Sequence, residues 1–164
     1  MSKIYNKFTL KILTIFIIFF LDRISKIYIL DFFEKNQIQE IAIFNFLNFY
    51  LIWNEGIAFG LLNFDSEKFY NIVTIIIILI SLIVLFYTFK LKNYSGYFFS
   101  LIFGGALGNL YDRIYFSAVP DFIDLHIGNY HWFIFNVADI FISVGIICLI
   151  FDELFFNKTN NEEN

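Results

Sequence analysis

Charge is scarce in this 164-residue chain. Asp, Glu, Lys and Arg make up 16% of it, against about 25% in a soluble globular domain. Hydrophobic residues make up 59%. Such a chain cannot cover itself with polar surface, so lipid is the expected solvent. Its length suits one domain. A single cysteine, Cys148, excludes an intrachain disulfide and a thiolate metal cluster. Its apolar neighbours argue for a small buried residue rather than a nucleophile. No basic cluster is present, and the net charge is −4, so nucleic acid is not an expected partner. The two histidines, His126 and His131, enclose no carboxylate, and no H-E-x-x-H occurs; a zinc site is not expected, nor is any other cofactor. There is no G-x-S-x-G elbow. One proline and one methionine beside 25 phenylalanines indicate a genome-wide bias. Aromatics this common are no evidence of a cofactor pocket.

What the chain does have is long apolar runs. Four reach the roughly 20 residues that a helix needs to cross a bilayer: about 8–30, 69–89, 94–111 and 132–151. Backbone amides in lipid must be satisfied within the segment, so these runs are expected to be helices. The second has no charge. The third is rich in small residues, Gly96, Gly104, Gly105, Ala106 and Gly108, which lets neighbouring helices or acyl chains approach closely. Lys3, Lys7 and Lys11 precede the first span, and Lys90 and Lys92 lie between the second and third. The positive-inside rule puts these on the cytoplasmic side. Both termini are then cytoplasmic, and the loops at 31–68 and 112–131 face outward. The start resembles a signal peptide, but its apolar run leads into "LDRISK" (21–26) rather than a small-residue cleavage site, so a retained helix is expected. Residues 1–156 form one expected membrane domain, followed by a polar cytoplasmic tail at 157–164. The outer insert, about 36–66, holds a β-rich stretch at 40–54 and a candidate short amphipathic helix at 54–64. Tyr50, Trp53 and Trp132 suit the membrane interface.

The polar residues inside these runs are functional candidates. Asp22 and Lys26, four apart, share a helix face and form an expected ion pair. Asn109, Asp112 and Arg113 close the third span, where the last two also suit a cap and interfacial anchor. Asn136 and Asp139, three apart, share a face at the start of the fourth; Asn136 also suits a plain interhelical hydrogen bond. Asp121 follows Pro120 in the outer loop, where simple solvation is the plainer alternative. With the expected topology, all of these gather at one depth near the outer surface. Asp139 has no basic residue within a turn or two, so an ion pair would need Lys26 or Arg113 from elsewhere. Two carboxylates in a partly dry site cannot easily both ionise, which leaves one base and one acid at neutral pH. Such a pair hydrolyses peptides without metal or covalent intermediate. Asp121 and Asp139 are the expected pair, because the loop can fold back onto the helix that follows it.

Five motifs in order resemble those of the bacterial lipoprotein signal peptidases, the signal peptidase II family, over about residues 12–150. "LDRISK" (21–26) is similar to D-x-x-[ST]-K and "NEGIAFGLL" (54–62) to N-x-G-x-A-F-G. "GGALGNLYDRI" (104–114) and "VPDFIDLHIGNYHWFIFNVADIFISVG" (119–145) carry the remaining family elements. Pro120, Arg23 and Ser25 depart from the common pattern without removing a carboxylate. The resemblance implies an α-helical integral membrane protein with four transmembrane helices, a small extracytoplasmic β-cradle and a short surface helix. It implies an aspartyl endopeptidase of the cytoplasmic (inner) membrane, working near the outer face. Its substrate would be a prolipoprotein with a diacylglyceryl-modified cysteine, cut just before that cysteine. By motif position Asp121 and Asp139 would be catalytic. Asn54, Gly56, Asn109, Asp112, Arg113 and Asn136 would line or support the pocket, with Asp22 and Lys26 at its edge. Membrane lipids and cyclic peptide inhibitors such as globomycin are the other implied partners. The competing class is a small proton-coupled transporter, which also uses intramembrane acids. It would place them at the midplane and often show internal repeats; neither pattern is present. A bare membrane scaffold would leave Asp139 without a purpose.

Overall fold

The computed structural model describes residues 2–55 and 66–157. Four long helices and one four-stranded sheet alternate along the chain: α1 (Ser2–Asn36), β1 (Glu40–Phe44), β2 (Leu47–Asn54), α2 (Ser66–Lys90), α3 (Ser95–Phe116), β3 (Val119–Ile127), β4 (Tyr130–Phe135) and α4 (Val137–Asp152). A π-helical turn, Glu153–Asn157, follows α4.

The helices are inverted relative to those of a soluble bundle. On α1 Lys11, Ile15, Ile18, Asp22, Lys26, Ile29 and Phe33 form a buried stripe at three- and four-residue spacing, and with the neighbouring Arg23 the buried face includes four charges. The opposite face exposes Phe16, Phe20, Ile24 and Ile27. Helix α2 exposes Ile72, Ile75, Ile76, Leu79, Ile80 and Ile83. A continuous apolar surface of this kind is not that of a water-soluble monomer. Among the described residues, one helical stretch is long and apolar enough by itself to cross a membrane, Tyr70–Lys90, with a mean hydropathy of 3.0.

Helix α3 is the hub and packs on α1, α2 and α4. Two of its glycines mark close approaches to α4 and α1. A Cβ on Gly105 would stand 2.5 Å from the Ala138 carbonyl oxygen of α4, and one on Gly108 would stand 2.5 Å from the Asp22 carboxylate of α1. These small residues therefore serve helix packing and leave no room there for acyl chains. Cys148 is only partly buried on α4.

The strands form one antiparallel sheet in the order β1-β2-β3-β4. Phe122 of β3 packs with Ile29 and Phe33 near the end of α1, and burying each of these side chains contributes about 1.5–3 kcal/mol. Side chains alternate along a strand, so Asp121 turns away from that cluster. Opposite Asp121 in β2 lies Ile52, and Asn54 pairs with Val119. Pairing of β3 with β4 begins only at Ile123. Pro120 thus sits where β3 has one neighbour, a place a strand proline tolerates.

Several boundaries differ from the sequence expectation. Helix α1 runs well beyond 8–30, because nothing in its flanks breaks it. The third helix continues past residue 111 to Phe116 and stops where Ser117 adopts a left-handed conformation, φ 57°. The segment 132–135 is strand rather than the beginning of the fourth span, its aromatic and β-branched residues pairing with β3. Residues 112–131 are consequently helix end and hairpin, not loop. The expected surface helix at 54–64 lies almost wholly outside the described residues.

Candidate active site

Asp121 is 2% exposed and is held by two amides. Asn54 Nδ2 donates to Oδ2 at 2.9 Å, and Asn136 Nδ2 donates to Oδ1 at 2.6 Å. The aspartate is therefore part of a strand, not a solvated loop, because β3 is clamped between β2 and the start of α4. Burial pushes its carboxyl up to about 6, against the hydrogen bonds from Asn54 and Asn136, with the nearby charge of Asp139 adding to the rise.

Asp139 occupies the third position of α4. Asn136 caps that helix: its side chain accepts from the Asp139 amide at 3.1 Å, while the Asp139 carboxylate accepts from the Asn136 amide at 3.0 Å. This reciprocal capping box stabilises the helix start by about 1 kcal/mol. It also fixes both side chains. Asn109 of α3 donates to the other carboxylate oxygen, Asp139 Oδ1, at 2.8 Å. Asn136 thus touches both carboxylates, one through its side-chain amide and one through its backbone. That is how β3 and α4 bring the two acids to one place.

Beneath the pair lies a charged cluster. Lys26 is 1% exposed and reaches Asp22 at 2.9 Å, Asp112 at 2.7 Å and Asn109 Oδ1 at 2.8 Å. Arg23 bonds Asp112 through both terminal nitrogens, at 2.6 Å for the one shared with Asp22; that contact to Asp22 is 2.8 Å. Asp22 in turn accepts from the Ala138 amide at 3.1 Å, at the positive end of α4. Two cations and two anions are matched, and they tie α1 to α3 and α4. By holding Asn109 Oδ1, Lys26 turns the Asn109 NH2 toward Asp139.

The structure corrects two local readings. Asp112 is not a cap on its own helix but a fully buried partner of Arg23 and Lys26. Arg113 joins neither carboxylate pair: its guanidinium lies 5.7 Å from the Tyr70 ring centre, and its Nη1 is buried without a hydrogen-bond partner among the described residues. Asp139 has no cationic partner there either; its contact with Lys26 runs through Asn109. Gly56 lies outside the described residues. Arg23 is the participant that the motif reading passed over, since it stands where the pattern departs. The available signal was a third charge inside an apolar run, which needs a partner.

Two acids with amide ligands, one shared by both, can hold a water between them while remaining free to exchange protons. A family model described as Signal peptidase (SPase) II matches residues 14–155. The lipoprotein signal peptidase of Pelagibacter ubique is 53% identical over 166 residues, covering 100% of both chains. That of Aquifex aeolicus is 44% identical over 142 residues, covering 80% of this chain and 83% of its own. A solved bacterial membrane enzyme structure superposes with a TM-score of 0.71 at 29% identity, covering 95% of this chain and 93% of the other. With a family pattern running almost from end to end and a full-length relative of this similarity, the chain belongs to the signal peptidase II family.

Proposed function

We propose that Asp121 and Asp139 are the catalytic pair of this signal peptidase, which removes the signal peptide from prolipoproteins. The observation that carries this reading is the shared ligand Asn136, which gathers both carboxylates while giving neither a cation. The ionised member takes a proton from water as the water attacks the scissile carbonyl. The protonated member donates to the carbonyl oxygen, and a proton then passes to the departing amide nitrogen. No covalent enzyme intermediate forms. Asn54, Asn109 and Asn136 position the acids. Asp22, Lys26 and Asp112, together with Arg23, support them from below, and Gly56 and Arg113 border the substrate pocket.

The chain is a single membrane domain over 1–156 with a cytoplasmic tail at 157–164. All four helices cross the cytoplasmic (inner) membrane, and both termini are cytoplasmic. The exposed apolar faces of α1, α2 and α4 support this reading, as does the lysine distribution. The sheet and the acid pair then lie at the outer surface. A diacylglyceryl-modified cysteine stays anchored in the bilayer at that depth and brings the bond before it to the acids. Cyclic peptides such as globomycin would occupy the same place.

The test is purified protein acting on a diacylglyceryl-modified precursor, with and without globomycin. The expected result is a shortened, lipid-bearing product whose formation globomycin blocks. Proton-coupled solute flux in proteoliposomes without cleavage would overturn the assignment.

A further inference from the structure

The end of the bundle remote from the acid pair also carries a built feature. Helices α2 and α4 both pack on α3 but barely touch each other. Between their far ends lies a cavity of about 470 Å³, lined by Tyr87, Phe99, Leu149, Ile150, Asp152 and Glu153 among others. Ser95 donates to Asp152 Oδ2 at 2.5 Å, which fixes that carboxylate. The lining contains two acids and no base. Among the described residues, Lys11 is buried against the carbonyls of Thr88 and Leu91, Lys90 lies over the Phe86 and Tyr87 rings, and Lys92 is exposed.

The cavity is connected to the acids by one helix face. Asp139, Ser143, Ile146, Ile150 and Glu153 follow a 4-3-4-3 spacing, which places them in one line along α4. Ser143, Ile146 and Ile150 in that line are exposed. From Asp139 to Asp152 the helix rises about 20 Å at 1.5 Å per residue. A signal peptide has a cationic n-region followed by 7–15 apolar residues, about 10–22 Å of helix. A precursor with its cleavage site at Asp121 and Asp139 therefore delivers its lysines or arginines to the far end.

Resting on the peptidase reading above, we propose that the groove ending at Asp152 and Glu153 is a second substrate subsite that takes the cationic n-region of the signal peptide. It acts as a ruler: the apolar line along α4 seats the signal helix, and the two carboxylates hold its charged end.

The test compares two diacylglyceryl-modified precursors that differ only in the n-region, three lysines in one and three glutamines in the other. For the wild-type chain in detergent micelles, KM is expected to be about 3–10-fold lower for the lysine precursor, with kcat similar for both. Raising the salt concentration narrows that ratio. In the D152N/E153Q variant the ratio falls toward one, and the D152K/E153K variant favours a precursor with glutamates in the n-region. Equal wild-type KM values for the two precursors overturn the subsite. So does a wild-type ratio retained in D152N/E153Q, or an equal loss on both precursors that added phosphatidylethanolamine reverses, which would assign the groove to a lipid amine. Wild-type cleavage of neither precursor would refute the peptidase reading itself.

Discussion

Four aspartates, three of them buried and Asp139 partly buried, stand close together in this protein, and they divide into two pairs. Asp22 and Asp112 are surrounded by Arg23 and Lys26. Asp121 and Asp139 are held by Asn54, Asn109 and Asn136. The ion pairs of the first pair brace α1 against α3. Amides are neutral: they fix the geometry of the second pair without supplying a counter-charge. On the proposed reading, that difference separates a brace from a reactive centre made of the same residue type.

Substitutions on the two sides of that contrast should fail in different ways. The largest effect is expected at the amide-held pair. Asp121→Asn or Asp139→Asn should lower cleavage of a lipid-modified precursor by at least about 10²–10⁴-fold, with the melting temperature in detergent largely retained. Cleavage within tenfold of wild type would erase the distinction. The braced pair should break the fold instead. Asp112→Ala leaves Arg23 and Lys26 with Asp22 as their one shared anion in a dry interior and is expected to cost about 3–5 kcal/mol, read as a large fall in thermal stability. A variant as stable as wild type would mean that Asp22 alone suffices for both cations.

Between the two lies Asn109, which receives from Lys26 and donates to Asp139. Asn109→Ala should reduce kcat by about 10–100-fold, the value of a hydrogen bond to a charged group, with a smaller loss of stability than Asp112→Ala. Acidity gives the next comparison. The Asp121 carboxyl is raised to about 6, so it gains a proton as the pH falls through that value. The pair then loses its base, and kcat/KM should drop about tenfold per unit below 6. A flat profile between pH 5 and 7 would contradict the assignment. The smallest effect is expected at the exposed i,i+4 pair of Lys35 with Asp31. Lys35→Ala should leave both melting temperature and cleavage unchanged, since surface ion pairs contribute little.

Much of this contrast is legible in the sequence. Charges inside apolar runs need partners, which singled out Asp22, Lys26 and Asp139. The three-residue interval between Asn136 and Asp139 placed them on one face, and that interval is also the capping-box spacing. The hairpin of β3 and β4 was harder to see. Its aromatic residues read as the continuation of a greasy span, because hydropathy alone does not separate a strand from a helix. The amide ligands were nameable through motif resemblance, but which acid each holds depends on strand register and helix docking. Arg23 stands where the chain departs from the family pattern, and neighbours i and i+1 do not normally face one another on a helix; its long side chain bridges Asp22 and Asp112 all the same.

The most direct measurement is the rate of precursor cleavage by Asp121→Asn, Asp139→Asn and the double variant, each checked for folding. Groups that act as one unit are strongly non-additive, so the two single variants should each be as slow as the double. Losses that multiply, or a single variant that still turns over at a substantial fraction of the wild-type rate, would show that the two aspartates do not work as a pair.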